Sequence, residues 1–264
     1  MKLLTGLAIG VVALGMAETA SATLEAHWGF DETGGTTAFD SVGGVNGTLV
    51  GGAIFTTTGG ITGGAIQISN GYVDMGNNFP STSTFSLQAW VKTDPGDTSG
   101  MIPVAKHWST IPQGYALAIN NIGDGYTQTN TEGFYSASGP YHTAVGGPPV
   151  NDGFWHQLVG VYNNGATSIY VDGNLAGSGS AGYANNSADF MIGGIFNAAG
   201  TPANYFHGLI DEVEIYNNAL SGNDVKALYV SYVPIVPIPE PETYAMLLAG
   251  LGLLGFIARR RKAA

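Results

Sequence analysis

Phe85-Ser86-Leu87-Gln88-Ala89-Trp90-Val91-Lys92 alternates without a break, with Phe85, Leu87, Ala89 and Val91 on one face of an extended strand and Ser86, Gln88, Trp90 and Lys92 on the other. This is the pattern of a half-buried antiparallel strand with one aromatic on its second face. Working outward, strands are expected at 24–30, 101–106, 115–119, 133–136, 155–162, 167–171, 190–193 and 206–216. Asp172-Gly173, between Ile169-Tyr170-Val171 and Leu175, is a hairpin turn signal. One helix is expected over 223–230, capped by Ser221 with Asp224 in its first turn. Paired glycines from Gly34-Gly35 to Gly63-Gly64 punctuate short apolar segments in the N-terminal part, at the spacing of antiparallel strands.

Glycine reaches 41 of 264 residues, without the third-residue period of collagen. Cysteine is absent, which removes disulfides, thiolate metal sites and a cysteine nucleophile. Of 19 carboxylates, all but Glu18, Glu240 and Glu242 lie between the two apolar ends, where the cations are only Lys92, Lys106 and Lys226. A net charge of about −13 repels phosphate backbones, so nucleic acid is excluded as a partner.

Both ends carry targeting signals. Lys2, the apolar run 3–16 and Ala20-Ser21-Ala22 form a signal peptide over 1–22 with an A-x-A cleavage site. A spacer over 231–238 leads to Pro239-Glu240-Pro241, an apolar run over 244–258 and Arg259-Arg260-Arg261-Lys262. That run is about 22 Å long as a helix, short of a bilayer core of about 30 Å, and the cations should stay cytoplasmic. The segment 239–264 resembles the PEP-CTERM tail. The resemblance implies sorting and cleavage by an exosortase after transient anchoring in the inner membrane, in Gram-negative bacteria that make extracellular polysaccharide. The alternative is an ordinary tail-anchor helix.

Between these ends, His27-Trp28-Gly29-Phe30-Asp31-Glu32 with Asp40-Ser41, the strand 85–91, Trp155-His156-Gln157-Leu158, Tyr170-Val171-Asp172-Gly173 and Gly208-Leu209-Ile210-Asp211-Glu212-Val213-Glu214-Ile215-Tyr216 follow in order. Together they resemble the laminin-G-like, concanavalin A-like jelly roll over 23–230. The resemblance implies an all-β sandwich of two antiparallel sheets. It also implies a structural Ca²⁺ tying the N-terminal segment to the last strand through Asp211, with Asp40 and either Asn46 or Asp31 supplying further oxygens. The alternative for Asp211 is a loop cap.

Because some jelly rolls are glycosidases, the carboxylate pair Glu212 and Glu214 was weighed as retaining machinery. The Glu-x-Asp-x-Glu pattern of laminarinase-like enzymes is missing, so the expectation is a solvated edge pair and no enzyme activity. No Gly-x-Ser-x-Gly elbow places a histidine in a serine hydrolase context, and His156 reads as packing. Trp108, Tyr126, Tyr135, Tyr141, Tyr183 and Tyr205 lie in or beside polar loops where rings can stack on sugars. Three functions remain in view: a lectin-like module for extracellular polysaccharide, a structural or adhesive surface protein without a defined ligand, and a glycosidase. The first is the leading expectation, at the cell surface or in the matrix.

Overall fold

The computed structural model describes residues 22–80, 82–108, 113–120, 132–138, 142–182, 186–197 and 200–233. Residues 1–21, 234–238 and the C-terminal tail lie outside them, while Ser231 and Tyr232, expected in the spacer, instead continue the C-terminal helix. The chain enters through β1 (Leu24–Trp28), the short β2 (Thr37–Ala38) and two ten-residue strands, β3 (Gly47–Thr56) and β4 (Ala65–Asp74). The middle contributes β5 (Thr84–Thr93), β6 (Met101–Trp108), β7 (Gln113–Ile119), β8 (Glu132–Ser138) and β9 (His142–Gly146). There follow β10 (His156–Asn163), β11 (Ala166–Val171), β12 (Asn174–Ser180) and the short β13 (Met191–Ile192), β14 (Ile195–Phe196) and β15 (Pro202–Ala203). Last come β16 (Gly208–Tyr216) and α1 (Gly222–Tyr232).

These elements form the expected all-β jelly-roll sandwich. The main ladder runs β12-β11-β10-β5-β16-β4-β13-β6-β7-β8-β9. It curls over so that β8 and β9 at one end pack on β10, β11 and β12 at the other. Phe85, Leu87, Ala89 and Val91 all face the resulting core, with Trp28, Phe134, Phe190 and Phe206 among its largest members. Gly160 of β10 shows how close the layers come: a Cβ there would sit 2.2 Å from the Phe134 ring. Asp172 and Gly173 both take positive φ, 50° and 72°, making the β11–β12 turn of the type that matches strand twist.

Two sequence expectations are corrected. The second face of β5 is not solvated: Ser86 and Gln88 are fully buried and Trp90 is 1% exposed. The cover is α1, whose Tyr229 ring stacks on Trp90 at 5.6 Å while Tyr232 meets it edge-on at 5.8 Å. Beneath the same helix Val159, Val161, Leu220 and Val225 form a second, smaller core. The helix begins as expected, with Ser221 and Asp224 in a reciprocal capping box, and runs two residues beyond the expected end. The second correction concerns β3 and β4, full strands in a region the sequence reading left as glycine-punctuated segments. A register shift between Gly51 and Ala53, with Gly51 at φ 64°, breaks the alternation there.

Candidate functional site

The last strand is the organising element. One side of β16 pairs with β5 throughout, while its other side pairs first with β4, over 208–210, and then with β1, over 213–216. At the change of partner a bulge between Asp211 and Glu214 puts Glu212 at φ 47°, a left-handed conformation that is rare for a side chain with a Cβ. Interactions around the bulge hold that strain in place.

Glu212 and Glu214 are therefore not a solvated edge pair: they are 5% and 4% exposed on a central strand. His27 Nε2 of β1 lies 2.6 Å from Glu212 Oε2, and Thr62 Oγ1 donates to Glu212 Oε1 at 2.5 Å. The Tyr232 hydroxyl of α1 sits 2.8 Å from Glu212 Oε2 and 2.7 Å from Glu214 Oε1, bridging the two carboxylates. Tyr216 and Gln88 donate to Glu214 Oε2, and Gln157 donates in turn to Gln88. The hydrogen bond to Glu212 pushes the His27 pKa up against the opposing effect of burial. Burial pushes Glu212 up, but hydrogen bonds from His27, Thr62 and Tyr232 outweigh it and the net shift is downward. Burial raises Glu214.

His27 also touches a serine. Ser41 Oγ is 3.0 Å from His27 Nδ1, so Ser41, His27 and Glu212 form a series with the polarity of a hydrolase triad, which no elbow motif in the sequence signals. A pocket of about 290 Å³ lined by His27, Asp31, Glu32, Phe39 and Ser41 opens above it. The oxyanion donors such chemistry needs are committed elsewhere. Ser41 N–H donates to His27 O, and Val42 and Gly43 N–H both donate to Asp40 Oδ1. The series acts as a clamp between β1, its following loop and β16.

The calcium residues carried over from the resemblance are placed differently from one another. Asp40 Oδ1 accepts from the amides of His27, Val42 and Gly43, its Oδ2 accepts from Val45 N–H, and Asn46 Oδ1 accepts from Asp40 N–H. Asp211 Oδ2 caps the amides of Ile61 and Thr62, and burial together with Glu212 pushes its pKa up to about 8. Asp31 Oδ1 accepts from Gly64 N–H. With amide protons pointed at these oxygens, the set does not fit a cation, and the alternative of Asp211 as a loop cap is what the geometry shows. Among the described residues, the one group of three with convergent ligand atoms is His27, Glu212 and Glu214. Its carboxylate oxygens already accept the hydrogen bonds given above.

The aromatic expectations divide. Tyr126, Tyr141 and Tyr183 lie outside the described residues, and Trp108 is placed in β6 by its backbone alone. Tyr205 is half-buried, and Tyr135 is 4% exposed with its ring edge-on to His107 at 4.9 Å, so it is core rather than sugar contact. His156 does more than pack, since Asp172 and Asp152 hold its two ring nitrogens at 2.8 and 3.1 Å.

Sequence reasoning missed an outer-face groove. Ile54, Gln67, Leu209 and Lys92 sit directly opposite one another on β3, β4, β16 and β5, hence on one face in a row across four strands. Four neighbouring strands span about 14 Å. The groove over this row has a volume of about 440 Å³ and is lined by Thr56, Gln67, Lys92, Asp94, Gly153 and Leu209. Following Gly153 in the chain, Phe154 is 71% exposed and Trp155 Nε1 donates to Gly59 O.

Residues 63–226 match the family profile of the concanavalin A-like lectin/glucanases superfamily. The chain belongs to this superfamily. Residues 237–262 match the PEP-CTERM protein-sorting motif, which marks a chain for export and sorting and implies processing by an exosortase. No curated protein matches the chain. Among solved structures, domain 4 of AbnA, a GH43 extracellular arabinanase from Geobacillus stearothermophilus in complex with arabinotriose, is 23% identical, with 79% of this chain and 98% of that one covered and a TM-score of 0.61. The binding domain of Paraclostridial Mosquitocidal Protein 1 is 16% identical over 79% of this chain and 52% of its own, also with a TM-score of 0.61. Trypanosoma rangeli sialidase in complex with the inhibitor DANA is 16% identical over 77% of this chain and 32% of its own, with a TM-score of 0.53. Identities this low show the superfamily fold alone. Among the described residues, no helix is long and apolar enough to cross a membrane.

Proposed function

We propose that the chain is a non-enzymatic glycan-binding module, exported and sorted through its PEP-CTERM tail to the cell surface or extracellular polysaccharide matrix of a Gram-negative bacterium. The observation that carries this reading is the groove across β3, β4, β16 and β5. The methyl-rich side chains of Ile54 and Leu209 offer a surface for the C–H faces of sugar rings, and Thr56, Gln67, Lys92 and Asp94 offer donors and acceptors to hydroxyl groups. Among the relatives, domain 4 of the arabinanase holds arabinotriose and another is a binding domain, which supports the reading. Tyr232 bonds both carboxylates that hydrolysis would need, Glu212 and Glu214, and Glu212 is bonded to His27 as well.

A glycan array probed with the full chain in mild detergent tests the proposal. Specific retention of at least one polysaccharide class, reduced by Leu209→Asp in a variant with an unchanged melting curve, is the expected outcome. Uniform absence of binding would favour a structural or adhesive protein without a glycan ligand.

A further inference from the structure

The exported domain has only three lysines, and two of them are engaged. Lys106 Nζ donates to Asn77 Oδ1 and Ala188 O, both at 2.6 Å, and Lys226 Nζ stands 5.2 Å from the Tyr229 ring centre. The Lys92 ammonium has no hydrogen bond or ion pair among the described residues, and this half-buried residue lines the outer groove with Leu209 and Asp94. We infer that the groove recognises an acidic polysaccharide, with the Lys92 ammonium pairing with a uronate carboxylate while Gln67 and Thr56 take neighbouring hydroxyls.

This rests on the glycan-binding proposal and narrows it to a substrate class. An ammonium gains more from a carboxylate than from a hydroxyl, because a charge-assisted hydrogen bond is about twice as strong as a neutral one. The domain's overall negative charge does not forbid this. At physiological ionic strength charges beyond about 8 Å are largely screened, so the local groups decide. Among them Asp94 lines the groove itself, and Asp211 stands two residues beyond Leu209 on β16, with its pKa pushed up to about 8 by burial and by Glu212. Lys92 stands in the same cross-strand row as Gln67, so one chain lying across the strands meets both.

The test compares polygalacturonate with its fully methyl-esterified form, which keeps the backbone and removes the charge, alongside neutral arabinan. The full chain in mild detergent and calcium-free buffer is titrated calorimetrically. The acid form is expected to bind about ten-fold more tightly than the ester, and Lys92→Gln should remove that difference while Lys92→Arg keeps it. The acid preference should also shrink as salt rises. Equal affinity for acid and ester, or a preference that survives Lys92→Gln, overturns the assignment while leaving neutral glycan binding intact. No binding to any of the three probes also overturns it, and the array then decides the glycan reading separately.

Discussion

His27 Nε2 and Glu212 Oε2 are 2.6 Å apart although 185 residues separate them in the chain, and this contact ties the first strand of the domain to the last. Its electrostatics give stability a defined pH dependence. The pKa of His27 is raised above 6.5, so its contribution is fully present below about pH 6.5 and is lost as pH rises through the folded value. The pKa of Glu212 lies below 4.5 in the fold, so its contribution is present above about 4.5 and lost as pH falls through the folded value. Burial also raises Asp211 from 3.8 to about 8 and Glu132 from 4.5 to about 7, so their contributions are fully present only below those ordinary values and are lost as pH rises from there through the folded ones. Melting temperature should peak near pH 4–5 and fall toward pH 8. His27→Gln should flatten the alkaline limb; an unchanged limb would show that the pair does not control it.

Tyr232→Phe removes the one hydroxyl that bridges Glu212 and Glu214 while keeping the ring against Trp90. Urea unfolding should register a loss of about 1–3 kcal/mol, because two buried acceptors lose their shared donor. An unchanged unfolding curve would mean that α1 is held by its rings alone.

Asp40→Ala deletes the acceptor of four loop amides, and a loss of about 1–3 kcal/mol follows from leaving them unpaired. Because those oxygens are turned onto amides, the melting curves of both wild type and variant should coincide in calcium and in chelator. A chelator-induced drop in wild type that Asp40→Ala or Asp211→Ala abolishes would restore a calcium site.

Reducing-sugar and ester-hydrolysis assays should give no turnover above blank for the full chain, on β-glucans, arabinan or its host's own polysaccharide. Glu214→Gln and Ser41→Ala should be indistinguishable from wild type in both assays. Hydrolysis that either substitution abolishes would turn the clamp into a catalytic site.

Glu240→Ala alters the sorting motif within the matched segment 237–262. In the host, a full-length species retained in the membrane should accumulate. Secreted protein ending in an intact Arg261-Lys262 would show that the tail is not cleaved.

Local chemistry made several features legible in the sequence alone. Strict alternation from Phe85 to Lys92 fixed which side chains share a face, Asp172-Gly173 fixed a hairpin, and Ser221 with Asp224 fixed the start of the only helix among the described residues. The sorting motif at Pro239-Glu240-Pro241 is likewise a property of contiguous residues. Tertiary structure alone decided what covers each face. Periodicity assigns Trp90 and Glu214 to a side of a strand without saying whether water or α1 lies above them, and that helix arrives more than 130 residues after Trp90. The bulge at Glu212 depends on β16 exchanging β4 for β1, and the groove row on the registers of three separate ladders. Register and cover are set by chain segments distant in sequence, so no local pattern encodes them.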